Sequence, residues 1–395
     1  MTSEEKRQKA QINRLMAKGP IDLPFALLVL LLTAIGVLMV FSASFARAFY
    51  EAEDPSAMAA LSVFLRQAVF AAAGVVVMFI TSKIDYHWWR RWAVPLLGLT
   101  ILLLLAVIVL PYPIAITSNG ATRWLNVGFT TFQPSEVAKF AVILYFAATI
   151  SVKKDKMETL QDGIFPYFLI LGVIVILMMK EPHLSGSVLI LCIGACMMFV
   201  GGISRKMVAL GVSLGVGGIL VLISGVLPYG QSRILQWKDP WAYASDEGYQ
   251  TVQSLLAIGS GGLAGLGFGK GRQKLLYLPE EHNDMIFSIV CEELGFIGAA
   301  LILALFCFLV LRGYWIALHA RDRFGGLLAV GITTMIAVQT FLNVAVVTNF
   351  VPNTGISLPF FSYGGSSLLT AFGGVGIVMS MKQEKLGGSG NWPGA

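Results

Sequence analysis

Asp284 stands at the end of a polar run, His282-Asn283-Asp284, directly before the apolar Met285-Ile286-Phe287. A carboxylate half removed from water at such a boundary has a raised pKa and can serve as a general base. The same residue type at a helix start also serves simply as an N-cap, and spacing alone leaves both readings open. Eight and nine residues further on come Glu292 and Glu293. Neighbours on a helix point about 100° apart, so at most one of these two is expected to support a site. A second charged pair, Glu136 and Lys139, lies three residues apart in Phe132-Gln133-Pro134-Ser135-Glu136-Val137-Ala138-Lys139. At that spacing the two meet on one helix face, either as a self-neutralising packing pair or as part of a site.

Cationic groups that could hold phosphate oxygens gather between residues 229 and 285: Arg233, Lys238, Lys270, Arg272 and Lys274. They flank the glycine string Gly259 to Gly271. This is not a P-loop, because Gly271 stands where Ser or Thr should follow Lys270. Anchoring charges on a re-entrant hairpin are the other reading. Finally, Asn349 to Ser367 is a Pro, Gly and Ser string whose hydroxyls, Ser362 and Ser366 among them, could recognise sugar or phosphate or bond their own turns.

What must position these groups is a membrane protein. Of 395 residues, 56% are apolar and 13% charged, against about 25% charged in soluble chains. Runs long enough for a hydrocarbon core of about 30 Å recur ten times, near residues 22–44, 62–82, 93–111, 132–151, 164–180, 184–202, 207–228, 286–311, 324–349 and 366–381. With the N-terminus inside, 18 of the 28 Lys and Arg fall in cytoplasmic segments, as the positive-inside rule requires. The expected fold is therefore an all-α polytopic membrane protein of about ten helices. Residues 1–20 form a cytoplasmic segment, 21–385 the transmembrane domain, and 386–395 a short cytoplasmic tail. One large extracytoplasmic loop, 229–285, joins helices 7 and 8. Both termini are cytoplasmic and the polar clusters face outward.

With no small-residue cleavage site before the first span, no removed signal peptide is expected. The four cysteines, Cys192, Cys196, Cys291 and Cys307, lie in spans without CxxC spacing. The four histidines are scattered, so neither a disulfide nor a zinc site is expected. Charge in a span is costly and marks function by default, which singles out the Glu136–Lys139 helix.

Three stretches together resemble the SEDS family, whose branches are named for RodA, FtsW and their sporulation relatives. They are Gln133-Pro134-Ser135-Glu136 with Lys139, Leu278-Pro279-Glu280 with His282-Asn283-Asp284, and Leu358-Pro359-Phe360 with Ser362-Tyr363-Gly364-Gly365-Ser366-Ser367. The likeness spans roughly residues 20 to 385. The wording from Glu281 to Gly295 is nearer the FtsW and sporulation branches than the RodA branch.

The resemblance implies a peptidoglycan glycosyltransferase that polymerises lipid II at the outer face of the bacterial cytoplasmic membrane, for cell division. Asp284 is then the essential base. Lys139, Arg233, Lys270, Arg272, Ser362 and Ser366 would bind substrate or pyrophosphate, with Glu136, His282 and Glu292 in support. A divalent cation, Mg or Mn, would sit at Glu136, with no organic cofactor. Expected partners are lipid II and undecaprenyl-linked glycan, a class B penicillin-binding protein acting as transpeptidase, other division or elongation complex proteins, and no nucleic acid. The sequence departs from the family at His183, where many members have Asp. A lipid II flippase and a non-catalytic division scaffold are the competing functions.

Overall fold

The computed structural model describes residues 21–52, 56–118, 121–128, 131–204, a few positions between 206 and 213, 235–246 and 248–383. Nine of the ten expected spans lie in these residues as helices. They are α1 (Leu23–Tyr50), α2 (Ala57–Lys83), α3 (Ala93–Val109), α4 (Pro134–Lys153), α5 (Phe165–Lys180), α6 (Leu184–Val200), α8 (Ile286–Leu318), α9 (Arg323–Val347) and α10 (Gly365–Gln383). The expected span at 207–228 falls mostly outside the described residues. A further helix, α7 (Tyr249–Gly261), belongs to the long loop.

Five of the helices are long and apolar enough to cross a membrane, and four more are shorter apolar helices of 10–17 residues. α9 and α4 are the inner ones, with 72% and 61% of their apolar windows buried, whereas α2 and α8 bury 22% and 28%. That division fits inner helices packed on protein and outer ones left with apolar surface for lipid.

Local chemistry sets the helix starts. Asp22 caps α1 by accepting from Phe25 N–H at 3.0 Å, and it also accepts from the guanidinium of Arg312 on α8 at 2.8 and 3.1 Å. Asp322 caps α9 through Gly325 N–H and accepts from Tyr86 Oη at 2.6 Å. Pro134 opens α4, where its missing N–H costs nothing.

The all-α expectation needs one addition. Between α3 and α4 lies a three-stranded antiparallel sheet of β1 (Ala115–Ser118), β2 (Ala121–Asn126) and β3 (Thr131–Phe132), in the order β1-β2-β3. Its strands are short and half-polar, which leaves no clear strand pattern in the sequence.

The glycine string also resolves. α8 breaks at Gly295, which has φ +68°, and the loop lies across the break. Leu266 and Gly267 N–H donate to the carbonyls of Glu292 and Glu293, and Phe296 and Ile297 N–H donate back to Gly262 and Leu263, all at 2.9–3.1 Å. A Cβ on Gly265 would stand 2.2 Å from Glu293 O, so these glycines permit backbone contact with α8. They pack helix on loop and do not form a phosphate cradle.

Candidate active site

A cavity of about 720 Å³ opens among α4, α6, the sheet, the long loop and the stretch between α9 and α10. Charged residues on its wall are Arg123, Glu136, Lys139, Glu280 and Asp284, and its rings are Phe70, Trp124, Trp237 and Tyr363. Size and mixed lining are those of a small-molecule site.

Asp284 reaches this cavity from a turn fastened on every side. Two residues before it is His282, whose carbonyl accepts from Tyr363 N–H at 2.9 Å, and the carbonyl of Asn283 accepts from Ser362 Oγ at 2.7 Å. Glu281, fully buried, takes a two-pronged bond from Arg47 on α1 at 2.6 and 2.9 Å. Asn343 of α9 donates through one amide to Asp284 O and Ile356 O, both at 2.7 Å. Pro279 O accepts from Gln250 Nε2 at 3.3 Å, and Gln250 Oε1 in turn accepts from Asn353 at 2.7 Å. Glu280 turns the chain with φ +55°, its carbonyl accepting from Asn283 and Met285 N–H.

The N-cap reading of Asp284 is thereby corrected. The cap of α8 is Met285, which makes no side-chain capping bond, and Asp284 Oδ1 has no hydrogen-bond partner. Its Oδ2 lies against Gly355, where an added Cβ would stand at 3.2 Å. Burial first, and then the nearby Glu280 charge, push the carboxyl from 3.8 to about 7. Backbone N–H groups and the Arg123 charge offset part of that rise. A carboxylate with an unbonded oxygen, poised near neutrality in a polar cavity, is equipped to take a proton.

Glu136 and Lys139 line the same cavity, both buried, with Lys139 Nζ 2.8 and 2.7 Å from the two Glu136 oxygens. That pairing closes Glu136 to a cation. Among the described residues no three His, Cys, Asp or Glu side chains converge. The Mg or Mn expected at Glu136 thus has no converging set of three such side chains behind it among the described residues.

Ser366 lines the cavity. Lys270 and Arg272 do not: both are exposed and neither lines it. Arg272 instead gives its backbone N–H to Glu292 at 2.8 Å, joined by Gln273 N–H, so Glu292 anchors the loop rather than facing substrate. Its neighbour Glu293 is equally buried, holding Lys274 Nζ at 2.6 Å, Ser42 Oγ at 2.7 Å and Gly269 N–H at 3.0 Å. Both adjacent acids are thus used, because the loop wraps the helix start and meets both directions. Ser362 Oγ is consumed by Asn283 O and Leu358 N–H, each at 2.7 Å, and is a positioning group. The His282 ring packs edge-on against Tyr363 at 5.7 Å and reaches Glu281 at 3.4 Å. Arg233 lies outside the described residues.

Arg123 was missed. From β2 its guanidinium lines the cavity and donates to the carbonyls of Glu181, at 3.3 Å, and Pro182. The signal was available: a lone Arg in a short outward connection contradicts the positive-inside rule and calls for a reason. Glu181 and His183 sit beside it, nearly buried, Glu181 pushed up to about 8 by burial and His183 down to about 3 by burial and the Arg123 and Lys139 charges. Both are uncharged near neutral pH.

Residues 23–386 match the family of FtsW, RodA and SpoVE, described as cell cycle proteins. A protein of Geobacter sulfurreducens named probable peptidoglycan glycosyltransferase FtsW is 40% identical over 368 residues, 93% of this chain and 96% of that protein. Stage V sporulation protein E of Bacillus subtilis is 41% identical over 366 residues, covering 92% and 97%. Among solved structures, a chain from work on coordination of polymerization and crosslinking by a peptidoglycan synthase complex aligns with TM-score 0.76 at 26% identity, covering 92% of this chain and 98% of that one. The rod shape determining protein RodA of Thermus thermophilus aligns with TM-score 0.66 at 27% identity, covering 92% and 97%. With its run of apolar helices and these likenesses, the chain is a multi-pass membrane protein that belongs to the FtsW, RodA and SpoVE family.

Proposed function

We propose that this protein is a peptidoglycan glycosyltransferase that polymerises lipid II into glycan strands at the outer face of the cytoplasmic membrane, in the service of cell division. The observation that carries the reading is Asp284, its Oδ1 without a partner and its carboxyl near 7, in a cavity of 720 Å³ with aromatic and cationic walls. Relatives about 40% identical along nearly their whole length bear the name of that activity.

A sugar 4-hydroxyl is a weak nucleophile at neutral pH. Asp284 takes its proton as the oxygen attacks the anomeric carbon of the lipid-linked donor, the bond from that carbon to the diphosphate breaks, and the configuration inverts from α to β. Undecaprenyl pyrophosphate leaves with the bonding electron pair. Arg123 and Lys139 are the cations on the cavity wall able to meet the charge that builds on it. Trp124 and Trp237 offer faces on which sugar rings stack. Both termini lie in the cytoplasm in this reading. A class B penicillin-binding protein crosslinks the strands as partner within a division or elongation complex.

The test is polymerisation of purified lipid II by the reconstituted protein with its transpeptidase, wild type against Asp284→Asn. Strands from the wild type and none from the folded variant support the reading. Equal polymer from both removes Asp284 from the chemistry, and no polymer from either favours a flippase or a scaffold.

A further inference from the structure

We infer that one wall of the cavity is a diphosphate subsite, formed where the N-termini of α4 and α6 meet with the hydroxyls of Ser135 and Ser185 and the guanidinium of Arg123. The inference rests on the transferase reading and names which groups hold the leaving part of the donor.

α4 and α6, of 20 and 17 residues, pack against each other, and the first turns of both line the cavity. The leading N–H groups of a helix have no intrahelical acceptor and carry the positive end of its dipole, so a helix start accepts anions. α4 opens on Pro134, which has no N–H, and its Glu136 N–H donates to Gln133 O at 3.1 Å, so α4 contributes its dipole and Ser135, and α6 supplies most of the backbone donors. His183 precedes α6 without capping it through its side chain, which leaves those donors to another acceptor.

The second residue of each helix is a serine, Ser135 in α4 and Ser185 in α6. Each is 2% exposed, each lines the cavity, and neither hydroxyl has a hydrogen-bond partner. Unbonded buried hydroxyls are rare in folded proteins and call for an explanation. Two of them at the same position of two adjacent helix starts fit one ligand with two anionic centres.

Charge agrees. Arg123 donates to the carbonyls of Glu181 and Pro182, the residues just before α6, so its guanidinium sits at that helix start. Lys139 lies one turn into α4 and neutralises Glu136, the only acid in that first turn. Glu181, the acid nearest the start of α6, is neutral at pH 7 because burial pushes it to about 8. Neither helix start therefore presents a net negative charge to an arriving anion. Donors fixed in place before the reaction stabilise charge as it develops on a departing diphosphate.

The test is calorimetric titration in detergent with three probes: farnesyl diphosphate, farnesyl monophosphate and inorganic pyrophosphate. Wild type should bind farnesyl diphosphate at least tenfold more tightly than the monophosphate, and pyrophosphate should compete. Ser135→Ala and Ser185→Ala should each weaken the diphosphate by about tenfold, and the double variant by more than either alone. Arg123→Gln, which keeps both hydroxyls, should weaken the diphosphate more than the monophosphate. Equal binding by wild type and the double serine variant would overturn the subsite, as would equal affinity for the two farnesyl probes, which marks a lipid groove instead. Polymer from a wild type whose diphosphate binding ignores the serines sinks the subsite and leaves the transferase standing. Serine-dependent binding by a protein that makes no polymer does the reverse.

Discussion

Replacing Asp284 with Asn should stop polymerisation and at the same time make the protein harder to melt, with a pH dependence fixed by the carboxyl itself. The folded protein moves that group from 3.8 to about 7. The difference, about 7 minus 3.8, is roughly 3 units, and at 1.36 kcal/mol per unit it corresponds to a penalty of roughly 4 kcal/mol on the ionised form. This is a ceiling, since the carboxyl borders a cavity open to water. The sign follows from linkage. The folded pKa lies above the unfolded one, so the folded state holds the extra proton between about pH 4 and 7. Stability is undiminished below pH 4 and falls as pH rises through that window. Asn is neutral throughout and escapes the loss. Melting both proteins in matched detergent at pH 5 and pH 8 isolates the effect, because any influence of the substitution that does not depend on pH cancels between the two. The variant should gain several degrees more over wild type at pH 8 than at pH 5. An equal gain at both pH values, or a greater gain at pH 5, would refute the account of Asp284 as a carboxylate held near neutrality by burial.

Three further outcomes are expected. Glu280→Gln removes the like charge that adds to the Asp284 shift, so the acid limb of the polymerisation profile should move below pH 7 by on the order of one unit. An unmoved limb would show that Glu280 exerts no field there. Gly355→Ala forces φ +67° on a residue with a side chain, at about 1–2 kcal/mol, and sets a methyl 3.2 Å from Asp284 Oδ2. Polymer yield should drop about tenfold, while wild-type rates would show that the Gly355 contact is slack. Lys270→Ala with Arg272→Ala should stay within about twofold of wild type, because both side chains are exposed and away from the cavity. A tenfold loss of activity would return them to the site.

The spans were legible because a hydrocarbon core imposes one requirement, about 20 apolar residues, which any reading of the chain can test. Observed helix limits such as Ala93–Val109 and Phe165–Lys180 lie within two residues of those expected at 93–111 and 164–180. The meeting of Glu136 with Lys139 was legible for a similar reason, since a spacing of three on a helix leaves few other geometries. The destinations of the loop charges were not legible. Lys270, Arg272 and Lys274 sit within five residues of one another, yet two are exposed and the third is buried against Glu293. Which of them turns inward depends on how a glycine hairpin crosses the break at Gly295, a tertiary matter that local sequence does not encode. Arg123 was hidden differently, on a strand too short to announce itself.

Among the described residues three ion pairs stand away from the cavity, and their contrast with Asp284 carries the functional argument. Arg312 with Asp22, Arg47 with Glu281, and Lys274 with Glu293 each join segments distant in sequence, and none of the six lines the cavity. Removing one partner of such a pair strands the other, so loss of function there reports a displaced loop. Asp284 differs in having no cation bonded to it and one oxygen bonded to nothing, although the turn that presents it is tied to α1, α7, α9 and the stretch before α10. A fold that fixes the backbone of a residue so firmly while leaving one carboxyl oxygen unbonded places that group for a ligand, and an Arg47→Ala defect should be separable from an Asp284→Asn defect by its loss of thermal stability.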